Sequence, residues 1–470
     1  MPLPRIPPPG GLARTAPWVL LATLLATVGL SRAPIETADS ELYRLLAERA
    51  GPLELLASTR TPGYPLLLRG VGAVCPDLSC LPAVQLVLHG LAAAALGASL
   101  FGAGLSRLAS VAAAGLALAD PWVWNMAPLL RNDLPALSLA VAALAALLQV
   151  LSAPGPFAWA ALTLTSSATW LMRPAYLFLL PLMIGVGWLW CRLPVRSTSA
   201  GPSPTRLAAR LSLATFGPLL LWCLLRLVTV GHFGPVSFTG FNLIGVTASW
   251  LDDEQARGLP PREARLAREI LQLRRQLALE PVDQDTPIAI WWSQFDANAW
   301  RAGARSARRL ASRYLARTRP PDQVALLLDV EADRRLVRLS LALIRAQPAL
   351  YGRWLFEGWA SALRRLARDP LVLVPGSASL AGWLAWTRVR RRRSDRASPP
   401  GLAATTSRAW LGVAVAFYLG GGTLALAVEP PEPRYLEAVT LLLPGALAAG
   451  AIEIWRSVLA RERRIEGAEA

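Results

Sequence analysis

The sequence predicts an all-α polytopic membrane protein with about ten transmembrane helices and further amphipathic helices on the outer membrane face. Three observations carry this. Of 470 residues, 54 % are hydrophobic and only 17 % charged, where a soluble globular chain has about 45–50 % and about 25 %. The mean hydropathy is +0.39. The apolar residues also gather into runs close to the ~20 residues that a spanning helix needs. This composition excludes a disordered chain and an ordinary soluble enzyme. The net charge of +17 comes from 48 basic residues, all arginine. They are spread between apolar runs and form no DNA-binding motif, so no nucleic-acid partner is expected. Membrane lipids and phosphorylated lipids fit this charge better.

In chain order, the apolar runs fall at about 16–33, 82–104, 109–127, 134–152, 157–172, 174–191, 209–230, 370–387, 408–428 and 436–456. The first is short and is followed by Ser31-Arg32-Ala33, which resembles a signal-peptidase site; an uncleaved span is the favoured reading. The fifth and sixth meet in a tight hairpin at Arg173-Pro174. Arginine in short loops marks the cytoplasmic side. With the N-terminus inside, the inner segments hold Arg5 and Arg14, then Arg107, then Arg192 to Arg210, then the cluster Arg388 to Arg396, and finally Arg456 to Arg464. Both termini are therefore expected in the cytoplasm.

The whole chain, 1–470, reads as one polytopic membrane domain with a first outer loop at 34–81, a large outer loop at 231–369 and a cytoplasmic tail at 457–470. In the large loop Leu266, Ile270, Leu273 and Leu277 recur at helical spacing, and Trp354, Leu355, Trp359, Leu363 and Leu366 make a second stripe. These helices are expected to lie on the membrane surface or to cover a cavity between the spans; a small outer domain packed on itself is the alternative. Residues 192–207 and 394–405 are Ser/Pro/Gly-rich inner linkers. Cys75 and Cys80 lie in the first outer loop, where Pro76 favours a turn, so a disulfide and two free thiols both remain open. Cys191 and Cys223 read as inert thiols in apolar runs, and His89 as a packing residue.

Chemistry in a membrane protein is sought where charge stands at a place that lipid disfavours. The first loop opens Ala38-Asp39-Ser40-Glu41-Leu42-Tyr43 and continues to Thr59-Arg60-Thr61-Pro62-Gly63-Tyr64-Pro65. Later outer turns carry Arg131-Asn132-Asp133, Arg173-Pro174 and Glu429-Pro430-Pro431-Glu432-Pro433-Arg434-Tyr435. Arginines beside carboxylates suit a phosphate-bearing substrate, with a base for an incoming hydroxyl. Ordinary interfacial charges at helix ends are the plain alternative.

The order of these motifs resembles the GT-C superfamily of lipid-linked-sugar glycosyltransferases, in the protein mannosyltransferase and aminoarabinose transferase branch. It is similar in particular to bacterial RgtA/B/C/D-like members. The matching features are the D-x-x-x-Y spacing of Asp39 and Tyr43, the turn Pro62 to Pro65, Asp133 opening the fourth span, Arg173-Pro174, and Arg434-Tyr435 before the last span. Two departures stand out. Ser40 follows Asp39 where many relatives have a second acid, here displaced to Glu41, and Asn132-Asp133 stands where many have Glu.

The resemblance implies transfer of a sugar from a polyprenyl-phosphate donor to a lipid, glycan or protein acceptor at the outer face of a bacterial inner membrane. It implies Asp39 as general base, with Glu41 and Asp133 as further catalytic candidates. Arg60, Arg131, Arg173 and Arg434 would bind the donor phosphate, and Tyr43, Tyr64 and Tyr435 would shape the substrate loop. A divalent cation, magnesium or manganese, would bind at Asp39 if one is used. A transporter or flippase for a lipid-linked or small solute is the main alternative, and a non-catalytic assembly partner a third. Transporters place polar residues at mid-membrane in repeated halves, whereas here the charges stand at outer helix ends.

Overall fold

The computed structural model describes residues 11–192, 203–391 and 402–469. Arg5, Arg196, Arg392, Arg393 and Arg396, with most of the two inner linkers, lie outside the described residues. Among those described, the chain is helical throughout, and its one extended contact is an isolated parallel bridge between Ile35 and Leu129. The first half runs α1 (Gly11–Leu30), α2 (Ser40–Arg49), α3 (Pro52–Ala57), α4 (Gly63–Val74), α5 (Leu81–Gly102) and α6 (Arg107–Ala119). It continues through α7 (Pro121–Met126), α8 (Asp133–Ser152), α9 (Pro156–Met172), α10 (Leu179–Trp190) and α11 (Pro204–Val230).

Five helical stretches are long and apolar enough to cross a membrane: Leu81–Gly102, Asp133–Ser152, Pro204–Val230, Ala403–Leu426 and Pro433–Arg463. The other five expected spans are helical but shorter, broken or more polar. In α1 the described side chains, Leu20–Leu30, form a shorter apolar stretch. The run at 109–127 breaks at Asp120-Pro121, because a residue before proline disfavours helical geometry. Asp120 is extended there, and its carboxylate accepts the Trp122 N–H at 2.8 Å to cap α7. The run at 174–191 starts as a 3₁₀ turn, Pro174–Phe178, before α10. Helix α9 has 17 residues.

Helix α8 is the centre of the bundle, with 83 % of its apolar window buried, against 22 % for the peripheral α11. Its sequence explains this. Ala136, Ala140, Ala143, Ala145 and Ala146 are fully or nearly fully buried and let neighbours approach closely. On α11, Leu213, Leu221 and Val228 remain exposed, as a lipid-facing helix requires. His89 is a packing residue, its ring nitrogens 3.1 Å from Ser138 Oγ and 3.2 Å from the Ala117 carbonyl.

The large outer segment continues with α12 (Thr239–Thr247), α13 (Asp253–Gly258), α14 (Pro261–Gln276), α15 (Ile288–Asp296), α16 (Arg305–Thr318), α17 (Pro321–Ala346) and α18 (Pro348–Leu366). A π-helical stretch, Ala297–Ala304, joins α15 to α16. The stripe on α14 does not lie on a flat surface. Leu266 and Ile270 meet Phe241 and Ile244 of α12, Leu310 of α16 and Leu336 and Leu339 of α17 in a core of their own. Burying a Leu or Ile stabilises by about 1.5–3 kcal/mol, so such facing stripes favour mutual packing. The second stripe divides: Trp354 joins Trp250 and Trp291 in the outer core, while Trp359 packs on Leu426 and Leu436 of the bundle.

The chain ends with α19 (Pro370–Arg391), α20 (Leu402–Leu426), α21 (Pro433–Thr440) and α22 (Leu442–Glu469). The expected tail at 457–470 continues α22 as helix through Glu469. Cys75, which ends α4, and Cys80, which precedes α5, form a disulfide. Cys191 and Cys223 are free thiols.

Candidate functional site

The first outer loop is stitched to the bundle by its backbone. Ile35 N–H donates to the Pro128 carbonyl at 2.7 Å, and Leu130 N–H donates to the Ile35 carbonyl at 2.9 Å. Ser40 Oγ donates to the Leu130 carbonyl at 3.0 Å. These bonds bring Asp39 beside the turn that carries Arg131. Farther along, Thr61 and Asn132 side chains both donate to the Met172 carbonyl, at 3.3 and 2.9 Å. Gly63 completes the seam: a Cβ there would stand 2.6 Å from the Leu171 carbonyl oxygen, so only glycine allows this approach.

Asp39 occupies the cap position of α2 but caps nothing. Its Oδ1 instead accepts Arg60 Nη2 at 2.5 Å. The Arg60 guanidinium lies over Phe238, 4.4 Å from the ring centre, and over Tyr43 at 5.6 Å. Tyr43 packs edge-on against Tyr64, with centres 4.9 Å apart. Burial raises the pKa of both phenols, so they stay neutral and serve as the wall behind Asp39. Glu41 is exposed and makes no ion pair among the described residues; it turns away from this cluster.

Asp133, 4 % exposed at the start of α8, pairs with Arg173, which leaves α9 in extended geometry before Pro174. Arg173 also lies over the Tyr435 ring at 4.9 Å. Arg434 binds Glu432 at 2.8 Å and donates to the Tyr435 hydroxyl. Glu429 accepts Asn242 Nδ2 at 2.8 Å and is hydrogen-bonded by Tyr435. Burial raises the Glu429 pKa, with the Tyr435 hydrogen bond and Arg173 opposing it. Asn242 belongs to α12, so the large outer segment closes one side of the site.

The four arginines therefore differ. Arg60, Arg173 and Arg434 each hold a carboxylate, whereas Arg131 forms no ion pair among the described residues. Burial lowers its pKa, the neighbouring Arg434 lowers it further, and Asp39 acts in the opposite sense. An arginine still carries its charge under such shifts. It is placed to take an anion.

A divalent cation does not fit these residues. No group of three or more Asp, Glu, His or Cys side chains gathers in metal-binding order among the described residues. Asp39 and Asp133 are each engaged by an arginine. Phe238 and Asn242 were not among the residues singled out from sequence. Glu429 opens the last marked outer turn, though no role was assigned to it there, and Phe238 and Asn242 reach the site only through packing of the outer segment.

Fold and site together define a helical membrane protein with a charged cluster at one end of its bundle. No family model, curated protein or solved structure matches this chain.

Proposed function

We propose that the protein is a membrane glycosyltransferase of the GT-C type, with ten spans and both termini in the cytoplasm, in a bacterial inner membrane. It moves a sugar from a polyprenyl-phosphate donor to a lipid, glycan or protein acceptor at the outer face. The observation that carries this reading is Arg131: a half-buried cation without a counter-charge, within a cluster that also contains the carboxylate of Asp39.

In this reading the acceptor hydroxyl attacks the anomeric carbon while the bond from that carbon to the donor phosphate oxygen breaks. The hydroxyl proton passes to Asp39, whose orientation Arg60 fixes. Polyprenyl phosphate leaves with the bonding electron pair, and Arg131 meets the negative charge that builds there. Arg173 and Arg434 hold the surrounding frame. Direct displacement inverts the anomeric configuration.

The test is consumption of a polyprenyl-phosphate sugar by purified Asp39→Asn, Glu41→Gln and Arg131→Gln. A general base contributes about 10²–10⁴ in rate, and Asp39→Asn is expected to lose that much with normal expression. Arg131→Gln is expected to lose about 10²-fold or more, the scale of one lost transition-state donor. Normal turnover in Asp39→Asn with loss in Glu41→Gln would move the base to Glu41. Normal turnover in both Asp39→Asn and Arg131→Gln would remove this cluster from the chemistry.

A further inference from the structure

A polar cavity of about 640 Å³ lies where the end of α18 and the start of α19 meet α7 and α21. Neither Asp39 nor any of the four arginines discussed above lines it. Its walls carry charge of both signs: Arg364, Arg365 and Arg368 on one side of the ledger, Asp120, Asp369 and Glu437 on the other. Only one pair among these is closed, Arg365 to Glu437 at 3.3 Å. Arg364 and Arg368 form no ion pair among the described residues, nor does Asp120 or Asp369.

Asp120 is the telling residue. It is 7 % exposed, and one oxygen accepts the Trp122 N–H, yet no cation neutralises it. Burying an unpaired carboxylate is costly, and a protein usually supplies a partner. Trp122 lines the same cavity, 4 % exposed, and its indole N–H has no hydrogen-bond partner. The cavity thus presents an almost fully buried carboxylate without a cation, with two unpaired cations at its exposed rim.

We propose that this cavity binds a zwitterionic aminoalkyl phosphate, the headgroup of a membrane lipid. The ammonium group pairs with Asp120 and Asp369, and the phosphate with Arg364 and Arg368. Both charges of the ligand are needed, since either alone leaves half of the cavity uncompensated. The volume falls within the ordinary range for ligand pockets, roughly 300–1,000 Å³. The surface next to it favours a lipid over a free headgroup. Helix α19 leaves the cavity from Pro370 and Leu371 and exposes Leu373, Val374 and Leu380, which offer a track for an acyl chain. This inference does not depend on the transferase reading.

The experiment is retention of added lipid by the full-length purified protein in detergent, read by native mass spectrometry. The probes are phosphatidylethanolamine, phosphatidylglycerol and soluble phosphoethanolamine. The wild type is expected to retain phosphatidylethanolamine about tenfold better than phosphatidylglycerol, the scale of one charge-assisted contact. Asp120→Asn keeps the α7 cap, because asparagine caps as well as aspartate. It should lose that preference while still retaining phosphatidylglycerol. The double variant Arg364→Gln/Arg368→Gln should weaken both lipids. Soluble phosphoethanolamine is expected to compete weakly; competition as strong as the lipid's would make the free headgroup the ligand. Equal retention of the two lipids by the wild type, or an unchanged preference in Asp120→Asn, would overturn the proposal.

Discussion

Asp133 in the bundle and Asp333 in the outer segment are both almost completely buried, 4 % and 1 % exposed, but they are compensated by different means. Asp133 meets a full charge, the guanidinium of Arg173. Asp333, in the middle of α17, meets the start of α12, where Gly240 N–H donates to its Oδ1 at 2.6 Å. Backbone donors at a helix N-terminus satisfy hydrogen bonds and supply only partial charge. Burial consequently pushes the Asp333 carboxyl up to about 7, with the Gly240 and Phe241 N–H groups opposing the shift. At Asp133 the bundle opposes two full charges, and of the candidate-site arginines Arg131 alone is left without an ion pair; at Asp333 the outer segment holds a neutralisable group that serves its own packing.

The contrast is broken most severely on the bundle side. Asp133→Asn leaves Arg173 largely buried beside Tyr435 without its counter-charge. Removing one partner of a buried pair costs about 3–5 kcal/mol. The unfolding midpoint of the purified protein in micelles is expected to fall accordingly. Arg173→Gln/Asp133→Asn should recover part of that loss, since no lone charge remains. A double variant as unstable as Asp133→Asn would mean that the pair is not what holds this end together.

Gly63 and Gly240 sharpen the comparison at a smaller scale. Each brings a turn against backbone near one of the two carboxylates: Gly63 against Leu171 and Met172, Gly240 against Asp333 itself. Gly63→Ala must push the first loop off the end of α9, an overpacking cost of about 1–3 kcal/mol. Because that loop carries Asp39, transfer activity should fall along with stability. Gly240→Ala should destabilise the outer segment by a similar amount and loosen the site only from the side of Phe238 and Asn242, leaving the disulfide-bearing loop in place. Thermal unfolding combined with protection of Cys75 and Cys80 from reduction separates the two, since only the first variant disturbs the disulfide-bearing loop.

The helical class was legible in composition, and the apolar runs that became α5, α8, α11, α20 and α22 were legible by length. The break at Asp120 could have been read from Asp-Pro within the third run, because proline restricts the residue before it. Of the residues marked from sequence, Asp39, Asp133 and the four arginines stand in one linked group, whereas Glu41 lies exposed outside it. Their pairing was not legible. Which arginine meets which carboxylate depends on how outer turns more than 20 residues apart come together, as Arg60 does with Asp39. The same holds for Arg226, read only as part of a span. It is buried and donates to the Leu56 and Gly234 carbonyls at 2.8 and 2.6 Å, tying α11 to the outer segment.

The mildest prediction concerns the outer segment alone. The folded Asp333 carboxyl titrates near about 7, well above the 3.8 of an unperturbed aspartate. Between these values the folded state holds a proton that the unfolded state has lost. The stability this carboxyl contributes is therefore greatest below about pH 4, falls as pH rises through this window, and is gone above about pH 7. One such proton corresponds to a slope of at most about 1.4 kcal/mol per pH unit. Asp333→Asn keeps an acceptor for the Gly240 N–H but cannot ionise, so it should remove this slope. At pH 8 the variant should match or exceed the wild type in stability; at pH 4 the two should converge. Parallel unfolding curves for the two proteins across pH 4 to 8 would show that the backbone donors of α12 compensate Asp333 as fully as Arg173 compensates Asp133.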